Sequence, residues 1–224
     1  MNRVVFDIET LAYPFESFDP DQQSYLLKFA HSDEEKAEAI QRLSLTPFTA
    51  RVIAIGMLNP DSNQGKVLYD SPERKSTYSE DGLVEFCPSG EEDILREFWK
   101  TIAHYAQFVT FNGRAFDCPF LLLRSAALGI KPSRNLMPYR YTWTEHCDLM
   151  EQLTFYGVCR KFNLDFYCKS FGIKSPKANG ITGLDLGRLY EEGRFREIAE
   201  YCLGDVRATT ELFRRWSDHL AFER

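Results

Sequence analysis

The sequence predicts an α/β fold, a mixed sheet with helices on both faces, and three observations carry that expectation. Two apolar runs rich in Val and Ile, at residues 4–8 (VVFDI) and 51–58 (RVIAIGML), read as buried strands. A turn-rich stretch with short strand patterns follows to residue 87. From there strand-like and helix-like periodicities alternate to about residue 128, as they do when helices cross over a sheet. A chain of 224 residues, 44% hydrophobic, can bury one substantial core and is short for two, so a single domain is expected.

Taken in order, the first strand is followed by a polar excursion at about 12–49, read as a partly helical insertion. Within it, SDEEKAEAIQRL opens on a capping box, Ser32 with Glu35. After residue 58, NPDSNQG turns the chain into KVLYD, and another strand is expected at 83–87, a pattern that suits an antiparallel meander. Ser89 and Glu92 suggest a second capping box, opening a helix to about Ala106 with Ile94, Leu95, Phe98, Ile102 and Tyr105 at helical spacing. Residues 108–111 read as the next strand. The Asn112-Gly113 break then leads to a helix at 120–128 that Gly129 can end. The aromatic stretch 139–147 could hold a strand, and the remainder reads as mainly helical, interrupted by a loop at 172–183.

Composition narrows the function classes. The six cysteines lack zinc-knuckle spacing and read as reduced thiols, most of them packed inside, in a cytoplasmic protein. No apolar run approaches the roughly 18 residues a membrane span needs, so no membrane is expected. The net charge of −6 gives no overall pull on nucleic acid. If four acids converge on a cation, however, −6 + 4 = −2 remains, and clustered Lys and Arg can still meet phosphates.

Three segments carry residues suited to chemistry. Asp7 and Glu9 alternate with Phe6 and Ile8, so both carboxylates leave one face of the strand. Such a pair is costly unless a cation sits between them, although a strand ending at its polar rim would also show it. Asp117, in FVTFNGRAFDCPF, lies near a helix start, where a carboxylate either caps the helix or serves a site. The Asn112-Gly113 pair allows a sharp turn and an amide offered to a ligand. In EIAEYCLGDVRATTELFRRW, Ile198, Cys202, Val206, Thr209, Phe213, Trp216 and Leu220 mark a buried stripe. Tyr201 and Asp205, four residues apart, share a face beside it, pointing to a site or simply to solvent. Gly204 between them weakens the helix, by about 1 kcal/mol relative to Ala, as it would where something must approach closely.

In this order, FDIET, FNGRAFDCPFL and YCLGDVRATTELF resemble the three motifs of the DnaQ-like exonucleases of the RNase H-like fold, in the branch with tyrosine in the third motif. The wording looks most like the bacterial proteins related to the proofreading domain of family-B DNA polymerases, and the likeness spans residues 4 to about 216. The resemblance implies that Asp7, Glu9, Asp117 and Asp205 bind two divalent ions, Mg²⁺ or Mn²⁺, and that Tyr201 orients the attacking water. It further implies that Thr10, Leu11, Asn112 and Phe116 lie beside the terminal nucleotide. The expected activity is 3′-to-5′ hydrolysis of single-stranded nucleic acid, DNA ahead of RNA, with mononucleotides released. A protein partner could supply affinity, and the rivals are an inactive binding module and an exoribonuclease.

The sister branch carries His where this chain has Tyr201, so His31, His104, His146 and His219 are assigned no catalytic part. Asp148 is read as a capping box with Glu151 rather than a fifth site acid. Lys169, Lys174 and Lys177 are candidate phosphate contacts or plain solvated surface.

Overall fold

The computed structural model describes residues 2–174 and 180–222. Its centre is a mixed seven-stranded sheet built on β1 (Arg3–Ala12). On one side β1 pairs antiparallel with β2 (Ala50–Leu58), and β2 in turn with β3 (Gly65–Asp70). Beyond β3 lie β5 (Val84–Ser89) and, at the edge, the two-residue β4 (Thr77–Tyr78). On the other side β6 (Gln107–Thr110) and β7 (His146–Asp148) run parallel to β1.

The period of two in β1 sorts its side chains between two cores. Val4, Phe6 and Ile8 face the core formed with α3 (Glu91–Ile102) and α4 (Asp117–Ala127), through Ile94, Leu95, Phe98, Phe120 and Leu121. Val5 faces the opposite core, filled by Ile198, Cys202, Val206 and Phe213 of α8 (Phe195–His219). α5 (Leu149–Leu153), α6 (Leu164–Ser170) and α7 (Leu186–Glu191) complete that layer. Helices therefore cover both faces, as expected. α8 can lie close because Gly56 has no side chain: a Cβ there would stand 2.7 Å from Val206 Cγ2 and 3.2 Å from Cys202 Sγ.

The excursion after β1 is partly helical, with α1 (Pro20–Leu26) and α2 (Asp33–Gln41), and the Ser32–Glu35 capping box forms. Four expectations need correction. β3 and β5 are parallel, not successive arms of an antiparallel meander. The tight hairpin is β4–β5, closed through Ser79 and Gly82 with φ of 70°, so β3 reaches its neighbour by a crossover. The helix after residue 89 starts from Gly90 with no side-chain cap, and Glu92 pairs with Arg96 at 3.2 Å instead of closing a box with Ser89. It also stops at Ile102 rather than near Ala106, whose amide is already committed to the Asn2 carbonyl at 2.8 Å as the chain turns into β6. Finally, only residues 146–148 of the aromatic 139–147 stretch and its neighbour extend a strand. The helix expected at 120–128 is α4, and Gly129 follows it at φ of 68°.

Among the described residues no helix is long and apolar enough to cross a membrane. The six cysteines are free thiols, four of them buried.

Candidate active site

The acids meet where three elements converge: the middle of β1, the start of α4 and the middle of α8. A bulge in the β1–β2 ladder between Glu9 and Thr10 follows directly on the carboxylate pair and breaks the regular pairing there. Asp7 is half-buried at the surface, while Glu9 and Asp117 are buried. The Asp117 Oδ1 accepts the Ile8 backbone N–H at 3.1 Å, which ties the first residue of α4 to the strand between Asp7 and Glu9. From α8, Cys202 donates its thiol to the Asp7 carbonyl at 3.6 Å. Oxygens of Asp7 and Glu9 and the Cys202 Sγ lie within 4.8 Å of one another, close enough to hold one ion.

Electrostatics shows the fourth acid in the same cluster. Burial raises the Asp7 carboxyl well above the usual range, and the charges of Asp117, Glu9 and Asp205 raise it further. Glu9 is likewise raised by burial, then by Asp205 and Asp117. Asp117 is pushed up to about 7 by burial, against the hydrogen bonds from its own and the Ile8 amide that favour the charged form. The Tyr201 hydroxyl is raised far above its ordinary value by burial and by Glu9, Asp205 and Asp7, and it donates a hydrogen bond to Asp205. The structure thus brings Asp7, Glu9, Asp117, Asp205 and Tyr201 together from three distant stretches of chain.

Every influence on Asp7 and Glu9 opposes ionisation, so the cluster is stable as a set of carboxylates only with positive charge among them. The donors are hard oxygens from four acids, the chemistry that suits Mg²⁺ or Mn²⁺. The residues present therefore fit divalent ions.

The expected nucleotide contacts fare less evenly. The Thr10 hydroxyl turns away to the Ser44 carbonyl at 2.6 Å, anchoring the excursion to β1, and Thr10 is buried. Leu11 is half-buried against the α8-side core, and its Cδ1 approaches Gly187 of α7. Phe116 packs on the other core, its ring 5.6 Å from Phe120. Asn112 adopts a left-handed φ of 63°, as a sharp turn requires, but its amide is not offered to a ligand. Asp148 takes it at 2.9 Å, together with the amides of Arg114 and Met150, each at 2.9 Å.

Asp148 is therefore more than the cap read from sequence. It does cap α5, but no box forms: Glu151 pairs with Arg114 at 3.2 Å and Arg140 at 2.6 Å. One buried carboxylate at the end of β7 fixes the loop that delivers Asp117. The Asp-x-x-Glu signature explained its local bond and gave no hint of partners 34 and 36 residues away. His146 is buried, stacked on Phe108 with centroids 4.3 Å apart and 2.8 Å from the Thr110 hydroxyl, in keeping with a structural part. Lys169 pairs with Asp165 at 2.8 Å, Lys174 is exposed, and Lys177 lies outside the described residues. A cavity of about 720 Å³ opens against Gly204 and Arg207 on another side of α8; none of the four acids lines it.

Comparisons with known proteins concern the chain and its fold, and the family match begins after Asp7 and Glu9. The chain is 23% identical over 202 residues to DNA polymerase 1 of Sulfurisphaera ohwakuensis, a match covering 83% of this chain and 21% of that protein. Its fold matches the family B DNA polymerase from the hyperthermophilic archaeon Pyrobaculum calidifontis with a TM-score of 0.61 at 17% identity, over 96% of this chain and 24% of the other. The chain thus spans a quarter or less of the length of these relatives, and its fold is RNase H-like. Residues 46–221 match the family described as predicted 3′-5′ exonucleases related to the exonuclease domain of PolB. On that match, which takes in most of the chain, this protein belongs to the family of predicted 3′-5′ exonucleases related to the exonuclease domain of PolB.

Proposed function

We propose that the chain hydrolyses phosphodiester bonds from the 3′ end of single-stranded nucleic acid, DNA ahead of RNA, with two divalent ions as cofactors. The observation that carries this reading is the convergence of Asp7, Glu9, Asp117 and Asp205 on one spot, with the Tyr201 hydroxyl donating into it. Those four acids would hold the ions, which supply charge stabilisation to an in-line phosphoryl displacement and lower the pKa of water. The family supports the same activity, and the two polymerase relatives favour DNA.

The protein's own residues do the positioning. Asp117, anchored by the Ile8 amide, keeps its oxygens aimed at the β1 pair. Tyr201 stays protonated, because burial and three nearby carboxylates oppose its ionisation, so it serves as a hydrogen-bond donor that orients water and is unsuited as a base. Leu11, Asn112 and Phe116 are the candidates for the terminal nucleotide, while the Thr10 hydroxyl is held by the Ser44 carbonyl.

The test uses single-stranded DNA and RNA labelled at the 5′ end, with Mg²⁺, Mn²⁺ or EDTA. Wild type should give a ladder of 3′-shortened products that EDTA, Asp7→Ala and Asp205→Ala each abolish. Binding without cleavage in either metal would make the chain a binding module instead.

A further inference from the structure

Beside the acid cluster, α6 carries features that the hydrolytic site does not use. The Phe162 and Phe166 rings are stacked, with centroids 4.2 Å apart and planes 10° from parallel. Arg160 lies over the Phe162 ring at 5.1 Å, while Phe166 remains 49% exposed. Buried Tyr167 contacts Phe162 edge-on at 5.9 Å and contacts Phe111 at the same distance. Phe111 immediately precedes Asn112, so an aromatic row runs from the loop that delivers Asp117 out to a half-open phenyl face. α6 also packs on α8, and the Asp205 charge is felt at Cys168 on that helix.

The same segment is basic. Residues 158–174 contain Arg160, Lys161, Lys169 and Lys174 against Asp165, giving +4 − 1 = +3 in a chain whose net charge is −6. Phe166 is thus a solvent-facing aromatic in a basic segment. It suits a polymer with flat π-faces and a phosphate backbone.

We propose that Phe162 and Phe166, with Arg160 and Lys161, form a stacking platform for single-stranded nucleic acid upstream of its 3′ end. The strand would lie with a base on the open face of Phe166 and its phosphates along the two cations. This rests on the exonuclease reading for the direction of the strand, but the platform is a binding site in its own right. It would supply affinity that a small acidic domain otherwise lacks.

Fluorescence anisotropy of 5′-labelled oligonucleotides in EDTA tests it without any cleavage. Phe166→Ala should weaken binding on the order of 5- to 100-fold, and Phe166→Tyr should bind like wild type. Truncating an exposed ring leaves the core intact, which unchanged melting would verify. Substituting Arg160 and Lys161 by Ala should flatten the salt dependence, by roughly 0.7 in logarithmic slope for each lost phosphate contact. A single abasic nucleotide walked along the strand should weaken wild-type binding at one or two upstream positions, and Phe166→Ala should lose that positional dependence. Equal affinity of wild type and Phe166→Ala, an abasic profile that survives the substitution, or no binding by wild type overturns the platform and leaves the patch to a protein. Cleavage with unaltered binding variants would leave the exonuclease standing without it. Position-dependent binding with no cleavage would do the reverse.

Discussion

Asp117→Asn should make the metal-free protein more stable while destroying its response to divalent ions. The Asn side chain keeps an oxygen for the Ile8 amide and removes a buried charge. The Asp117 carboxyl titrates at about 7 in the fold against 3.8 without it, a difference of roughly three units, or about 4 kcal/mol at full ionisation. The folded pKa is raised, so the native state binds the proton more tightly than the unfolded chain. The penalty is absent below about pH 4, grows as pH rises toward about 7, and is complete above that. The variant should therefore gain up to about 4 kcal/mol over wild type in EDTA near pH 8, and the gain should shrink steadily on acidification. For a domain of this size that is about 8–16 °C in melting temperature. Adding Mg²⁺ at a hundredfold excess over Kd should raise wild type by about 2.7 kcal/mol and the variant by much less. Denaturation curves across this pH range, with and without Mg²⁺, decide the matter. A variant less stable than wild type in EDTA near pH 8 would refute the claim that Asp117 is held against its own ionisation.

Other expectations follow from the same geometry. Tyr201→Phe should melt close to wild type and lose on the order of 10²-fold in turnover, since only an orienting hydroxyl is removed; undiminished turnover would dismiss it from the mechanism. Gly56→Ala places a Cβ against Val206 and Cys202 and should cost about 1–3 kcal/mol by denaturant unfolding. Because the displaced helix carries Tyr201 and Asp205, activity should fall alongside. Phe155 sits at φ of 50° with its ring exposed, so Phe155→Asn should relieve about 1 kcal/mol of backbone strain, visible as a rise of about 2–4 °C in melting temperature.

Where residues declare themselves by local pattern, the sequence was legible. The β-branched runs of β1 and β2, the stripe of α8 and the Ser32–Glu35 box depend on neighbours a few positions away, and all three formed. The two carboxylates of β1 leave one face because strand period allows nothing else. What was hidden depends on distant partners. No feature of KVLYD states the direction of its neighbour, which is set by a hairpin that begins at Thr77, beyond the end of the strand. Thr10 looked available until Ser44, far along the excursion, claimed its hydroxyl. The turn at Phe155 and Tyr156, both left-handed, carries no cue except the following Gly157.

The hold of Asp148 on three amides has a consequence for how the molecule breathes. β7 is a sheet edge only three residues long, but all three are buried, so it should open less readily than the exposed β4 at the other edge. When β7 detaches, the amides of Asn112, Arg114 and Met150 lose their acceptor in one event, so their hydrogen exchange should report a single shared opening energy. Opening at this rim of the sheet then also frees the loop that carries Asp117 to the start of α4.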